Sequence, residues 1–266
     1  MVSDLKQVDS RPGSRKYVTD SLSVVIPAYN ESLRIKPPLD DICEYLSRSE
    51  LNPHWEVIVI DDGSRDGTGD VIQTVQQHYP QVRLITHPQN AGKGAAVRSG
   101  VLASRYDFIL LTDADGATPI QQEQTLRQAI TGGADLAVGS RTAADPAAIR
   151  KRSFPRRCTG ELFSILARWI IPVPVQDPQC GFKMFPRSVA QRLFQISVES
   201  GYLFDLEILY LAERSGYSIS ECAVHWQEIP GSKIHLFADS WNMLLGLRRV
   251  RRNVEVLVPR TKSPNW

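Results

Sequence analysis

Five short apolar segments recur along the first half of the chain, each separated from the next by a stretch long enough for a helix. They are rich in β-branched side chains and cover residues 22–26, 56–60, 82–86, 108–112 and 136–138. Strands that alternate with helices predict a mostly parallel sheet with helices on its faces. The continuous apolar run at residues 57–60 is typical of a strand buried on both faces. We therefore expect an α/β fold.

Polar residues follow the first, second and fourth apolar segments. These polar segments read Pro27-Ala28-Tyr29-Asn30-Glu31, Asp61-Asp62-Gly63-Ser64 and Asp113-Ala114-Asp115-Gly116. In open parallel sheets the carboxyl ends of the strands share an edge, and ligands bind there. The sequence therefore predicts one polar site along this edge.

Asp113 and Asp115 are the strongest candidates for chemistry, because they stand two residues apart at the end of a predicted strand. Two carboxylates so close together suit Mg²⁺ or Mn²⁺ shared with phosphate oxygens. The alternative is that they cap the following helix. Thr118, Pro119 and Gln121 form the pattern of a capping box with proline at the first helical position, which would already serve that helix. We therefore expect Asp113 and Asp115 to be metal ligands.

Other residues at this edge are candidates for nucleotide binding. Asp61 and Asp62 are compatible with a simple turn, but the second acidic strand end favours a hydrogen bond from one of them to a base or ribose. Pro27 and Tyr29 offer a rigid turn and an aromatic face for a base. Lys93, in Asn90-Ala91-Gly92-Lys93-Gly94, opens a predicted helix and is directed either at a phosphate or at solvent. The full phosphate-loop pattern is missing, which argues against an ATPase.

The second half of the chain has a weaker β/α rhythm. A basic stretch covers residues 141–157, and helices are predicted near residues 158–170 and 204–215. We expect one domain at residues 21–233, with a nucleotide-binding half at 21–140 and an acceptor half at 141–233. The polar residues 1–20 predict a disordered leader.

Residues 234–266 predict an amphipathic basic segment. Its apolar residues Trp241, Leu244, Leu245 and Leu247 are followed by the arginines Arg248, Arg249, Arg251 and Arg252. Such a helix suits an anionic lipid interface. A helix packed on the core with a charged outer end fits the same pattern.

Composition limits the classes of function. The formal net charge of +2 over 266 residues argues against a nucleic-acid binder. The cysteines Cys43, Cys158, Cys180 and Cys222 are far apart, and we expect them to be reduced. No apolar stretch approaches the roughly 20 residues that span a bilayer. We therefore expect a cytoplasmic protein with peripheral contact at the cytoplasmic face of a membrane.

Taken together, the strand-end motifs resemble glycosyltransferase family two. The resemblance rests on residues 24–31, 59–68 and 112–115, whose order and spacing match. It implies a GT-A type, Rossmann-like fold, inversion at the anomeric carbon, and a divalent metal on the Asp-x-Asp motif.

Further motifs narrow the resemblance to the dolichyl-phosphate β-glucosyltransferases, with the dolichyl-phosphate mannose synthases as sister group. They lie at residues 113–118, 139–141, 177–185 and 226–233. This resemblance implies transfer of glucose from UDP-glucose to a polyprenyl phosphate. GDP-mannose or another nucleotide sugar as donor, a hydroxyl acceptor, and a nucleotide-binding module without turnover are the alternatives.

The resemblance also implies roles for individual residues. Pro27, Tyr29, Glu31 and Asp62 would line the nucleotide site, and the motif Asp113-Ala114-Asp115 would hold metal and diphosphate. Arg141 and Lys233 would neutralise the donor or acceptor phosphates.

The acceptor side has further candidates. Arg152 and Arg156 belong to the basic stretch, while Lys183 and Ser232 belong to the later motifs. A lipid phosphate is already anionic and needs no strong base, so stabilisation of charge by Asp115 with its metal, Arg141 and Lys233 is the expected catalytic contribution. If the acceptor is a hydroxyl, Asp205 is the candidate base, with a structural carboxylate as the alternative.

Overall fold

The computed structural model describes residues 21–141, 170–227, 229 and 240–259. The strands in this part of the chain are β1 (Ser21–Ala28), β2 (His54–Asp61), β3 (Val82–Thr86), β4 (Phe108–Leu111), β5 (Leu136–Ser140), β6 (Lys183–Pro186) and β7 (Ile219–Ala223). The helices are α1 (Lys36–Arg48), α2 (Thr68–His78), α3 (Lys93–Ala103), α4 (Glu123–Thr131), α5 (Arg187–Ile196), α6 (Phe204–Arg214) and α7 (Ser240–Leu257).

The strands form one mixed sheet in the order β3-β2-β1-β4-β6-β5-β7. Neighbouring strands are parallel except at β6, which runs antiparallel to both β4 and β5. β1 therefore lies between β2 and β4, and the polar segments after these three strands meet at one edge. The predicted mostly parallel α/β sheet is confirmed.

The strands β6 and β7 were not predicted, because their sequences lack a clear apolar pattern. β6 has four residues, and it begins with a lysine and ends with a proline. Every residue of β7 is only partly buried, as suits a strand at the edge of a sheet.

Two hydrophobic cores lie on opposite faces of the sheet. Alternate residues of each central strand face opposite cores, as Val24 and Val25 do in β1. Helices α1, α2 and α4 cover one face, while α3, α5, α6 and α7 cover the other. This three-layer arrangement buries the sheet and leaves its carboxyl edge for the site.

Helix α3 lies unusually close to the sheet because its buried residues are small. A β-carbon added to Gly100 would come within 2.5 Å of side-chain atoms of both Ile60 and Val25. Interiors are close-packed, so a larger side chain here would push the helix outward. The first residue of this helix is Lys93, and the close packing therefore sets the height of that lysine over the strand ends.

Helix α7 occupies part of the predicted segment at residues 234–266. Its apolar stripe of Leu247, Val250 and Val254 is fully buried in the core, where α7 packs beside α6. This side of α7 therefore faces the protein, which fits the alternative of a helix packed on the core, whereas the predicted apolar residue Leu245 is exposed. No helix in the described ranges combines the length and the apolar character that crossing a bilayer would require.

The predicted capping box after Asp115 is wrong. The chain there forms a short 3-10 helix, Ile120–Gln122, preceded by Pro119, and no side chain caps it. A capping box at Thr118 is therefore not what leaves Asp113 and Asp115 free to bind a metal. The leader at residues 1–20 and most of the predicted helix at 158–170 lie outside the described residues.

Candidate active site

Asp113 and Lys93 form an ion pair at the centre of the carboxyl edge. Lys93 Nζ lies 2.6 Å from Asp113 Oδ1, and the aspartate side chain remains 40% exposed. Burial raises the pKa of Asp113, but the lysine ammonium outweighs burial and holds the pKa below its ordinary value. Both groups therefore stay charged, and Lys93 is directed at Asp113 rather than at bulk solvent.

Asp115 lies beside this pair and has a different environment. Its Oδ1 accepts a hydrogen bond of 3.0 Å from the backbone N–H of Ala117. Burial, followed by the charge of Asp113, raises the pKa of Asp115. A cation placed between the two carboxylates would relieve that repulsion.

Gly181 forms the wall behind Asp113. A β-carbon added to Gly181 would lie 2.1 Å from Asp113 Oδ2, far inside van der Waals contact. Any larger residue would displace the carboxylate. The Asp113 carboxylate can therefore take this position only because residue 181 is glycine.

The donor set fits a hard divalent cation that is shared with a ligand. Asp113 and Asp115 supply carboxylate oxygens, which Mg²⁺ and Mn²⁺ prefer. No cluster of three or more possible His, Cys, Asp or Glu ligands occurs in the residues that the structure describes. Ligand oxygens or water would have to complete the coordination, as is usual for Mg²⁺ bound together with phosphates.

Lys183 and Asp205 form a second ion pair beneath the first. Lys183 Nζ lies 2.6 Å from Asp205 Oδ1 and also donates to the carbonyl of Cys180. Their side chains are 1% and 6% exposed. Lys183 is thus enclosed rather than facing an acceptor, and Asp205 is bound by an ammonium, which fits the alternative of a structural carboxylate.

Arg141 follows β5 and is fixed by Asp177. Its Nε and Nη2 each donate a 2.7 Å hydrogen bond to the Asp177 carboxylate, and its guanidinium lies 5.7 Å from the centre of the Trp226 ring. Burial lowers the pKa of Arg141, but the hydrogen bond to Asp177 and the charges of Asp177 and Asp113 together outweigh burial and raise the pKa. The guanidinium is therefore a permanent, fixed cation near Asp113.

The loops after β1 and β2 are joined by hydrogen bonds. The Asn30 N–H donates to Ser64 Oγ, and Asn30 Oδ1 accepts from the Arg65 N–H. Asn30 has a positive φ of 54°, which asparagine tolerates better than most residues. The adjacent Tyr29 is 40% exposed and follows Pro27 and Ala28 at the end of β1.

Glu31, predicted to contact the nucleotide, is paired with Arg34. Two hydrogen bonds of 2.7 Å join the carboxylate to Arg34 Nε and Nη2. Arg34 also acts electrostatically on Asp115. This arginine therefore links the nucleotide side of the edge to the carboxylate pair.

Asp62 is bonded by the chain itself. Its carboxylate accepts from the N–H groups of Ala91 and Gly92, at 3.0 and 2.8 Å, and lies 2.7 Å from His87 Nδ1. The other ring nitrogen of His87 lies 2.9 Å from Ser99 Oγ. Asp62 therefore holds the turn that leads into Lys93.

Asp61, the other predicted residue after β2, serves the turn as well. Its Oδ1 accepts a 2.9 Å hydrogen bond from the Ser64 N–H, and the residue is 5% exposed. The interpretation of this segment as a simple turn therefore fits the side chain of Asp61.

Several site residues were not identified from the sequence. Arg34 carried a readable signal, since it stands three residues after Glu31 within one turn of chain. Asp177 and Gly181 belong to a motif used for the resemblance, but no role followed from it. His87 carried no signal. The predicted Arg152, Arg156, Ser232 and Lys233 lie outside the described residues.

The arrangement is suited to binding a polyanion together with a divalent cation. Lys93, Arg141 and Arg34 are each paired with a carboxylate, and Asp115 adds a further one. A divalent cation on Asp113 and Asp115 would make this group of charges positive, and the exposed ring of Tyr29 at the end of β1 offers a face for a base.

Sequence comparison defines the class of this protein. The family described as "Glycosyl transferase family 2" matches residues 23–194. The chain therefore belongs to glycosyl transferase family 2, which confirms the resemblance drawn from its motifs. The mixed sheet with helices on both faces is the GT-A type fold expected of that family.

Curated relatives define the narrower group that the chain resembles. The dolichyl-phosphate β-glucosyltransferase of Dictyostelium discoideum is 38% identical over 240 residues, covering 86% of this chain and 73% of that protein. The human enzyme of the same name is 37% identical over 249 residues, covering 90% and 76%. That of Saccharomyces cerevisiae is 37% identical over 247 residues, covering 86% and 74%.

Solved structures show the same fold at lower identity. A glucosyl-3-phosphoglycerate synthase from Mycobacterium tuberculosis, in complex with Mn²⁺, UDP-glucose and phosphoglyceric acid, has a TM-score of 0.62 and 19% identity, covering 99% of this chain and 85% of that one. A mannosyl-3-phosphoglycerate synthase from Rubrobacter xylanophilus has a TM-score of 0.63 and 17% identity, covering 92% and 77%.

Proposed function

We propose that this protein transfers glucose from UDP-glucose to a polyprenyl phosphate, with inversion at the anomeric carbon, to give a polyprenyl-phosphate β-glucose. The observation that carries the proposal is the partly exposed pair Asp113 and Asp115 beside Lys93 and Arg141. The names of the curated relatives support glucose as the sugar and a dolichyl-type phosphate as the acceptor. The UDP-glucose complex of a protein with the same fold supports the donor.

Asp113 and Asp115 would hold Mg²⁺ or Mn²⁺ through their carboxylate oxygens. When bound, the ion neutralises charge on the donor diphosphate as the sugar leaves. Lys93 is already bonded to Asp113, so its ammonium stands within reach of the same diphosphate. Ala114 between the two aspartates is 8% exposed, so its side chain packs in the core while the carboxylates face the site.

The nucleoside would bind at the ends of β1 and β2. The exposed ring of Tyr29 offers a face for the base, and Pro27 and Glu31 border the same turn. Asp62 contributes by holding the turn before Lys93. In this arrangement Asp62 acts on the donor through the position of Lys93.

The acceptor phosphate attacks the anomeric carbon with its own negative charge and requires no strong base. The protein must instead bring two anions together. Arg141, fixed by Asp177, supplies a permanent cation for this purpose. Lys233, Ser232, Arg152 and Arg156 are proposed as further acceptor contacts, and all four lie outside the described residues.

A lipid acceptor requires contact with a membrane. The phosphate of a polyprenyl phosphate lies at the bilayer surface, while a nucleotide sugar reaches it from the aqueous side. We therefore include in the proposal a peripheral association with the cytoplasmic face of a membrane.

The proposal is tested by incubating the protein with Mn²⁺, a polyprenyl phosphate and either labelled UDP-glucose or labelled GDP-mannose, followed by extraction into organic solvent. Lipid-soluble label from UDP-glucose is the expected result. Lipid-soluble label from GDP-mannose alone would overturn the assignment of UDP-glucose as the donor. A new labelled sugar product that remains in the aqueous phase would overturn the assignment of a polyprenyl phosphate as the acceptor. Binding of UDP without any turnover would show a nucleotide-binding module.

A further inference from the structure

The outward face of helix α7 carries apolar and basic side chains in one stripe. Leu245 is three and four residues from Arg248 and Arg249, Arg252 is four and three residues beyond these two, and Val256 is four residues beyond Arg252, so all five share a face. All five are exposed, Leu245 by 49% and Val256 by 73%. The stripe is about 17 Å long at 1.5 Å per residue.

A neighbouring loop extends this face. Val198 lines the same groove as Arg248, Arg252 and Val256, and it is 53% exposed. Tyr202, in the same loop, is 54% exposed. Large apolar side chains at the surface around a basic groove indicate a site of interaction rather than a solvated helix.

The orientation of the stripe is fixed by packing. Leu247, Val250 and Val254 on the opposite side of α7 are buried. The side chain of Leu203 lies so close to Gly246 that an added β-carbon would meet it at 2.6 Å. The helix cannot rotate its inner apolar stripe outward without losing the core, so the outward face is the surface available to a partner.

The net charge of this face is positive. Glu199 is 9% exposed and is bonded to Arg249 at 2.8 Å. Arg248 and Arg252 have no acidic partner among the described residues, and the acidic Glu255 is bonded to Arg251 and Tyr210 away from the stripe. A partner must therefore be anionic and must also accept apolar side chains.

We propose that the outward face of α7, together with Val198 and Tyr202, is a docking surface for an anionic lipid bilayer. Apolar side chains at both ends of the stripe enter the headgroup region, and the arginines between them bind lipid phosphates. Anionic lipid supplies both chemistries at one flat surface, which fits a stripe that runs along a single helix.

The loop at residues 198–203 connects this surface to the candidate active site. Ser200 accepts a hydrogen bond from the Ala95 N–H, and backbone oxygens of residues 199 and 200 lie against Gly94 and Gly92. The next helix begins with Phe204, whose ring centre lies 5.9 Å from Lys93 Nζ. Docking would therefore bring the bilayer near the side of the site that holds Lys93. The use of this contact to deliver an acceptor lipid rests on the proposed function, whereas the binding itself does not.

Sedimentation with vesicles tests the docking surface. Vesicles of phosphatidylcholine mixed with phosphatidylglycerol should bind the protein, and phosphatidylcholine alone should bind it much less. Each arginine near an anionic surface contributes about fivefold in affinity, so R248A/R252A should lower binding by about 25-fold. L245S/V256S should lower it by about tenfold.

Arg48→Ala is the matched control. Arg48 is exposed at the end of α1, on the opposite helical layer, and its loss should leave vesicle binding unchanged. Equal binding to neutral and anionic vesicles, or equal binding by R248A/R252A and the wild type, would overturn the proposal. Dissociation of a self-associated species in the variants, with vesicle binding unchanged, would assign the face to a second copy of the chain and would also overturn it.

Turnover with a short-chain polyprenyl phosphate in detergent separates docking from transfer. R248A/R252A should retain transfer to this acceptor, because neither arginine lies in the site. A wild-type protein that binds anionic vesicles but transfers no sugar would support the docking surface and refute the proposed function. Loss of transfer in detergent by R248A/R252A, with a native fold, would mean that these arginines act in the site, and it would overturn the docking role.

Discussion

Two pairs of aspartates lie at the same edge of the sheet and do different things. Asp61 and Asp62 follow β2 and are nearly buried, and their oxygens accept hydrogen bonds from the surrounding turns. Asp113 and Asp115 follow β4 and keep exposed surface, and Lys93 is paired with Asp113. The first pair builds the edge, and the second pair offers oxygens to a ligand. The same residue type at equivalent strand ends therefore does not imply the same role.

The two pairs are connected through one turn. Asp62 holds the N–H groups of Ala91 and Gly92, and the next residue is Lys93, which bonds to Asp113. Substitution of Asp62 should therefore alter the position of Lys93 and, through it, that of Asp113. We therefore expect substitutions of Asp113 or Asp115 to abolish sugar transfer. Substitution of Asp62 should instead lower the stability of the protein and weaken donor binding.

Asp113→Ala and Asp115→Ala should have the largest effect on activity. A metal supplies several kcal/mol of charge stabilisation, which corresponds to a loss of about a thousandfold in transfer. The circular dichroism spectrum should stay native in both variants. Urea unfolding of Asp115→Ala should stay close to wild type, whereas Asp113→Ala should lower the free energy of unfolding because it removes the partner of Lys93. Near-normal transfer by Asp115→Ala would place the centre of the chemistry elsewhere.

Gly181→Ala should follow, with a loss of about a hundredfold in kcat/KM. The added methyl group would displace the Asp113 carboxylate, and a shift of about 1 Å at a reacting site costs that much. Gly132→Ala, at the far end of α4, serves as the control and should leave kcat/KM unchanged. A fully active Gly181→Ala protein would show that the position of Asp113 is not critical.

Asp62→Ala should act mainly on stability. It would leave two partly buried N–H groups and His87 without their acceptor, at a cost of about 2 kcal/mol in the free energy of unfolding. Urea denaturation measures this change. The KM for the donor should rise more than kcat falls, because Lys93 loses its support. A wild-type unfolding free energy combined with an abolished kcat would assign Asp62 to the chemistry instead.

His87→Ala should have the smallest effect, in the same direction. Removing one hydrogen-bonding partner of Asp62 should lower the free energy of unfolding by about 1 kcal/mol. The donor KM should rise a few-fold, as measured by initial rates. Ser99→Ala, which removes only the outer partner of His87, should change the donor KM less. A larger effect from Ser99→Ala than from His87→Ala would contradict this order of support.

The first half of the fold could be predicted because its strands are apolar runs with helices between them. β1 to β5 were found in this way. β6 was missed because it begins with Lys183, which is paired with Asp205, twenty-two residues later. No local pattern reveals such a partner. For α7 the sequence left a lipid interface and packing on the core as alternatives, because periodicity shows that a helix is amphipathic but does not show which surface covers it.

The candidate site was predictable where adjacent residues carry the chemistry. Asp113 and Asp115 are close in sequence, so their spacing alone indicated a shared ligand. The partners of Asp62 and Arg141 come from segments about 30 residues away or more. Their engagement depends on the fold. The sequence therefore located the edge, while the structure separated the residues that build it from those that face a ligand.

Binding of Mn²⁺ and UDP by isothermal titration calorimetry tests the central claim most directly. The wild type should bind UDP much more tightly with Mn²⁺ than without it. Asp115→Ala should lose this metal-dependent gain while retaining the weak binding seen without metal. Asp62→Ala should bind more weakly in both cases but keep the gain. An unchanged Mn²⁺-dependent gain in Asp115→Ala would contradict the assignment of the metal and the diphosphate to the carboxylates after β4.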